Sequence, residues 1–191
     1  ILFTMGKYEL AAKECQLMIL LQPNIESYSG YAWLLEQMGK FKQSAASYQQ
    51  LIHLEPQNAV WYFWYAVLLQ RCDAFEESMC NFEKCLALDA NYEVANGNYA
   101  YSLYLNGKYQ SALKYIQVAL QKNTDCSHLC VHFYYALIMI QFNRIQTAVN
   151  ELYHCLDLIQ LPQRNRCKHE KGCLPIHEHH IYNLLSELGY N

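Results

Sequence analysis

The chain has 191 residues, carries 14 Lys and Arg against 17 Asp and Glu for a net charge of -3, and is 53% apolar. That balance, with only Arg164, Arg166, Lys168 and Lys171 clustered, disfavours nucleic acid as the main partner. No apolar run reaches the roughly 18 residues of a membrane span, the stretches 16–21 and 131–140 being too short or too polar, so no membrane insertion is expected.

In chain order, residues 1–6 look like the tail of one helix, as if its upstream part were cut away, and 7–21 like a second. Helical hairpins follow at about 25–56, 59–90, 93–123 and 129–158. Proline and glycine punctuate 159–175 as a loop. In the C-terminal segment 176–191, Ile181, Leu184, Leu185 and Leu188 recur at three and four residues, the spacing of a helix that caps the last hairpin. Cys15, Cys80, Cys85 and Cys155 fall at packed helical positions, where a thiol acts as a small hydrophobe, and a reducing cytoplasm is the expected location.

The hairpins are copies of one unit. Ala32, Ala66, Ala100 and Ala136 lie 34, 34 and 36 residues apart, each directly preceded by a tyrosine (Tyr31, Tyr65, Tyr99, Tyr135). Seven residues after each comes Gly39, Asp73, Gly107 or Asn143, then an anchor: Phe41, Phe75, Tyr109 or Ile145. Second helices carry a small residue (Ala11, Ser44, Ser78, Ala112, Ala148), and one turn later a bulkier one (Cys15, Tyr48, Phe82, Ile116, Leu152). Small residues let paired helices approach, and the larger one fills the neighbour's groove. An amphipathic bundle would share the apolar stripes but not the spacing.

This pattern resembles the tetratricopeptide repeat family up to about Leu158, with the helix-ending proline kept at Pro23 and Pro56 and replaced by Ala90 and Thr124. The resemblance implies an all-α, right-handed superhelical solenoid of helix-turn-helix repeats over 1–158, with no enzymatic activity and no cofactor. It also implies a concave groove, lined by the first helices, that binds a protein partner. Carried over from the shared alanines, the lining holds Trp33, then Val60, Phe63, Trp64 and Val67. Asn98, Tyr101 and Tyr104 follow, then Phe133, Tyr134 and Leu137.

Where cochaperones of this family grip a carboxylate with Lys, Asn and Arg, only Asn98 remains, so an apolar or aromatic-anchored segment suits the groove better than an acidic chain end. The alternative for these aromatics is burial in the core. A cover for them could also come from the C-terminal segment folding back, or from self-association through the same surface. The stretch 5–23 is similar to the opening of class II chaperones of type III secretion, and a general chaperone or assembly scaffold is an equal expectation.

A second class of function is metal binding. Cys167, His169, Cys173 and His177, with His179 and His180 beside them, are candidate ligands, but their spacing matches no common zinc motif, and a solvated loop is the simpler account. No phosphate loop, nucleophile elbow or zinc-protease helix occurs, so no catalytic residue is expected.

Overall fold

The computed structural model describes residues 7–92, 94–122, 129–160 and 176–190, and among these it has ten α-helices and no strand. They are α1 (Tyr8–Leu21), α2 (Ile25–Gln37), α3 (Phe41–Leu54), α4 (Ala59–Arg71), α5 (Phe75–Leu88), α6 (Ala95–Leu105), α7 (Tyr109–Lys122), α8 (Leu129–Gln141), α9 (Ile145–Gln160) and α10 (Glu178–Glu187). The chain divides into two compact units, residues 1–90 and 91–191. In the first, α2 pairs with α3 and α4 with α5, while α1 packs on α2; in the second, α6 pairs with α7 and α8 with α9, while α10 packs on α9.

The first helices start and stop where short-range chemistry dictates. Asn24 caps α2, its side chain accepting from the Ser27 N–H at 2.8 Å while the Ser27 hydroxyl accepts from the Asn24 N–H at 3.3 Å. Asn58 caps α4 by accepting from the Val60 N–H at 3.1 Å. All four hairpins then turn through a left-handed residue: Gly39 at φ 70°, Asp73 at 58°, Gly107 at 71° and Asn143 at 56°. Glycine, and less readily Asp and Asn, tolerates that region. The next N–H reaches back to a helix carbonyl: Lys40 to Leu35 at 2.8 Å, Ala74 to Leu69 at 3.0 Å, Lys108 to Leu103 at 2.8 Å and Arg144 to Met139 at 3.0 Å. Helix α10 closes the same way, with Gly189 at φ 84° and the Tyr190 N–H on the Leu185 carbonyl at 2.9 Å.

The repeat alanines and their partners on the second helices are all fully buried, as close helix approach requires. In unit 1 a hydrogen bond is added at that contact. The Ser44 hydroxyl donates to the Ala32 carbonyl at 3.0 Å and the Ser78 hydroxyl to the Ala66 carbonyl at 2.8 Å. Unit 2 has alanine at both equivalent positions, Ala112 and Ala148, and packs there by shape alone. One turn on, Tyr48, Phe82, Ile116 and Leu152 are buried as expected, each worth about 1.5–3 kcal/mol for a side chain of that size. Cys15 in α1 is only half-buried.

A polar tie crosses three helices of unit 1. The Tyr48 hydroxyl donates to one oxygen of Glu36 at 2.7 Å and the Arg71 guanidinium to the other at 2.8 Å, with Arg71 also lying 5.0 Å over the Phe41 ring. Burial raises the Glu36 carboxyl above its usual range, against the opposing pull of Tyr48 and Arg71.

The expected tail at 1–6, the helix end at Thr124 and the loop at 161–175 lie outside the described residues. Helix α9 runs on to Gln160, into the start of the expected loop 159–175, and α10 occupies Glu178–Glu187 of the C-terminal segment 176–191.

Candidate functional site

The first helices α2, α4, α6 and α8 carry all eleven lining residues read from the sequence, and the structure separates them by burial. Trp33 is 39% exposed, edge-on to Tyr8 of α1 with ring centroids 6.1 Å apart. Val60, Trp64, Tyr101, Tyr104, Phe133 and Leu137 are half-buried. Phe63, Val67 and Asn98 are buried, at 1%, 7% and 2% exposure, and Tyr134 is 1% exposed yet forms part of the wall of a cleft in unit 2.

The burial of these four has physical causes. Phe63 is packed edge-on between Trp64, at 5.2 Å, and Phe82 of α5, at 6.0 Å, so it is core of unit 1. Val67 lies one helical turn further along the same side of α4. Asn98, the one remnant of a carboxylate grip, is turned onto its own helix and donates to the Val94 carbonyl at 3.0 Å. Tyr134 lies under Tyr101. Trp64 is intermediate, since it also packs against the cluster of Tyr48, Leu51, Tyr65 and Leu68.

In unit 2 the expected lining residues other than Asn98 converge. The rings of Tyr101 and Tyr134 stack with centroids 4.2 Å apart and planes 10° apart, and Tyr104 continues the stack at 6.3 Å. Gly97, one turn before Tyr101, makes the approach of α6 to α8 possible, because a Cβ there would sit 3.0 Å from the Val131 methyl. Burial pushes the phenols of Tyr101 and Tyr104 above their ordinary values, so both stay neutral across the physiological range.

Beside this stack opens a cleft of about 470 Å³, lined by Tyr101, Phe133, Tyr134 and Leu137 and walled on its other side by Ile176, His180, Asn183, Leu184 and Glu187 of the C-terminal segment. Among the described residues no Lys or Arg lines it, and Glu187 is the one carboxylate. The second wall is a contribution of α10 that residue-by-residue transfer from the repeats could not supply. Its signal was nevertheless present, since Ile181 and Leu185 are buried, Leu184 and Leu188 half-buried, and Leu184 lines the cleft. A helix with an apolar surface wider than one contact needs can serve two neighbours.

At the start of α10, His177, His179 and His180 crowd together, their ring centroids 4.0 to 5.6 Å apart. The His177 N–H donates to Nδ1 of His180 at 3.1 Å, and burial and then the neighbouring His179 and His177 lower the His180 pKa. Among the described residues no three His, Cys, Asp or Glu side chains are placed to hold a metal ion. Cys167, His169 and Cys173 lie outside them. No described helix is long and apolar enough to cross a membrane.

Solved structures supply the comparison for this arrangement of helices. A tetratricopeptide repeat protein from Parabacteroides merdae superposes with a TM-score of 0.73 at 12% identity, covering 97% of this chain and 70% of that one. MamA from Desulfovibrio magneticus gives 0.73 at 11% identity, covering 83% and 89%. YrrB, a tetratricopeptide repeat protein with an unusual peptide-binding site, gives 0.66 at 13% identity, covering 90% and 84%. The fold is that of the tetratricopeptide repeat proteins. No protein-family model and no curated protein matches the sequence.

Proposed function

We infer that the chain is a non-catalytic protein-binding module, a chaperone or assembly scaffold, that seats an apolar segment with an aromatic or aliphatic anchor in the unit 2 cleft. The observation that carries this is the lining: stacked tyrosines, Phe133, Leu137 and Leu184, with no Lys or Arg among the described lining residues to hold a chain-end carboxylate. Half-exposed rings at the mouth of a cleft are the side chains that most often supply binding energy. Trp33, Val60 and Trp64 give unit 1 a further partly exposed apolar surface. YrrB, with its peptide-binding site, supports the peptide class of ligand by fold analogy.

A reducing compartment such as the cytoplasm fits this role. Burial pushes the thiols of Cys85 and Cys155 up to about 12, so they remain protonated core side chains.

The test is fluorescence anisotropy with labelled peptides that carry a single Phe, Leu or Trp in a polar background, compared with the same peptides bearing Asp there. Anchored peptides bind, and Phe133→Ala together with Leu137→Ala weakens them at least tenfold without changing the helical circular dichroism. Equal binding of the Asp peptides, or indifference to both substitutions, would sink the proposal.

A further inference from the structure

The helices around the unit 2 cleft differ in charge from the rest of that unit. Helices α6, α8 and α10 contain no Lys or Arg, and their carboxylates are Glu178 and Glu187, at the two ends of α10. The described cations of unit 2, Lys108, Lys114, Lys122 and Arg144, stand on α7 or in the turns that lead into α7 and α9.

The two glutamates stand in opposite settings. Glu178 lies in the first turn of α10, where a carboxylate meets the positive end of the helix. Glu187 is the last residue of α10, where the helix's own partial charge is negative and a cation would suit better. The helix itself does not favour Glu187. It is exposed and lines the cleft, and among the described residues it joins no ion pair, the pairs being Arg71 with Glu36 and His132 with Glu151. An apolar cleft therefore carries one unmatched negative charge at its edge.

His180, Leu184 and Glu187 recur at four and three residues along the cleft side of α10. Leu184 and Glu187 are thus about 4.5 Å apart along the axis, while an extended partner rises about 3.3 Å per residue. A cation one or two residues from an anchor seated against Leu184 reaches the Glu187 carboxylate. We propose, on the footing of the protein-binding reading above, that the segment seated in the unit 2 cleft carries a Lys or Arg within two residues of its apolar anchor, and that Glu187 pairs with it. Opposite charges at the rim of an apolar contact fix orientation and selectivity more than affinity, and a pair that water can reach is worth about threefold in binding.

Three labelled peptides test this by fluorescence anisotropy against the whole chain. They share one Phe anchor and carry Lys, Gln or Glu at the two positions on either side of it. The expected order of affinity is Lys, then Gln, then Glu, each step about threefold, and the steps shrink between about 0.05 M and about 0.5 M salt. Glu187→Gln closes the gap between the Lys and Gln peptides. Glu187→Lys, at an exposed helix end where a cation is favoured, keeps the helical circular dichroism and reverses the order. Phe133→Ala weakens all three peptides by a common factor, which separates the anchor from the charge. Three peptides that bind equally but still need Phe133 would overturn this pairing and leave the protein-binding reading in place. An order that both Glu187 variants leave unchanged, or a preference for the Glu peptide, would overturn it likewise, and failure of all three to bind would overturn both readings.

Discussion

Tyr134 lies flat beneath Tyr101, ring on ring at 4.2 Å, so the floor of the unit 2 cleft is made from one helix and its upper edge from another. The two tyrosines are 1% exposed and half-buried respectively, which divides their roles between support and contact.

Tyr134→Ala leaves a cavity under the stack and should lower stability by about 3 kcal/mol in urea unfolding. Tyr101→Ala should cost about 1 kcal/mol, since its ring is partly in solvent, and weaken anchored peptides by about 2 kcal/mol. Equal stability losses for the two would place both rings in the core.

Trp64 and Tyr65 are neighbours on α4 with different surroundings. Tyr65 is 5% exposed, stacks at 6.5 Å on Tyr48, and its hydroxyl bonds to Glu77 at 2.9 Å. Tyr65→Ala should cost about 3 kcal/mol, and Trp64→Ala, which loses only its inner contacts, about 2 kcal/mol. Thermal melts of both variants decide it; a Trp64→Ala chain with the stability of the parent would mean that the Phe63 and Trp64 contact contributes nothing.

At Gly97 even a Cβ would sit 3.0 Å from the Val131 methyl, so any side chain needs its neighbour to give way. Gly97→Leu should force the helices apart and destabilise by about 1–3 kcal/mol, despite the better helix propensity of leucine. Tyrosine fluorescence and urea midpoints report both effects, and an unchanged midpoint would show that the Val131 methyl yields freely.

The hydrogen bond from the His177 N–H to His180 needs a neutral Nδ1. With the His180 pKa lowered from 6.5, the folded helix disfavours the proton more than the unfolded chain does. The stabilisation is therefore present above pH 6.5 and is lost as pH falls through the depressed value. Hydrogen-exchange protection of α10 should drop between about pH 7.5 and about pH 5.5, and His180→Asn, with an uncharged acceptor, should flatten that drop. Equal drops in parent and variant would remove His180 from the account.

Turn positions were legible because one residue decides each of them. Gly39, Asp73, Gly107 and Asn143 stand where the chain must adopt positive φ, and few residues accept it. Small-residue contacts such as Ala32 with Ser44 were legible for the same reason. The lining was less so. A position seven or eight residues long in a helical wheel fixes an angle, and Phe63 and Val67 were assigned by angle alone. Whether that angle meets solvent depends on the bulk of the facing side chain, and Phe82 closes the space over Phe63. Asn98 was misread because an amide can satisfy its own helix, a choice that leaves no trace in spacing. The second wall of the cleft comes from α10, which belongs to no complete hairpin and so has no counterpart from which to transfer a role.

Gly39 and Asp73 hold the same backbone conformation 34 residues apart, each followed by an N–H that returns to its helix. The backbone is thus interchangeable at these two points. Excising residues 40–73 would join Gly39 to Ala74 and carry α2 into α5 through an unaltered bend, with Ser78 arriving where Ser44 had been. Length can change in whole hairpins without any new turn having to be invented, so gain or loss of a module by recombination at these points meets little resistance from local geometry.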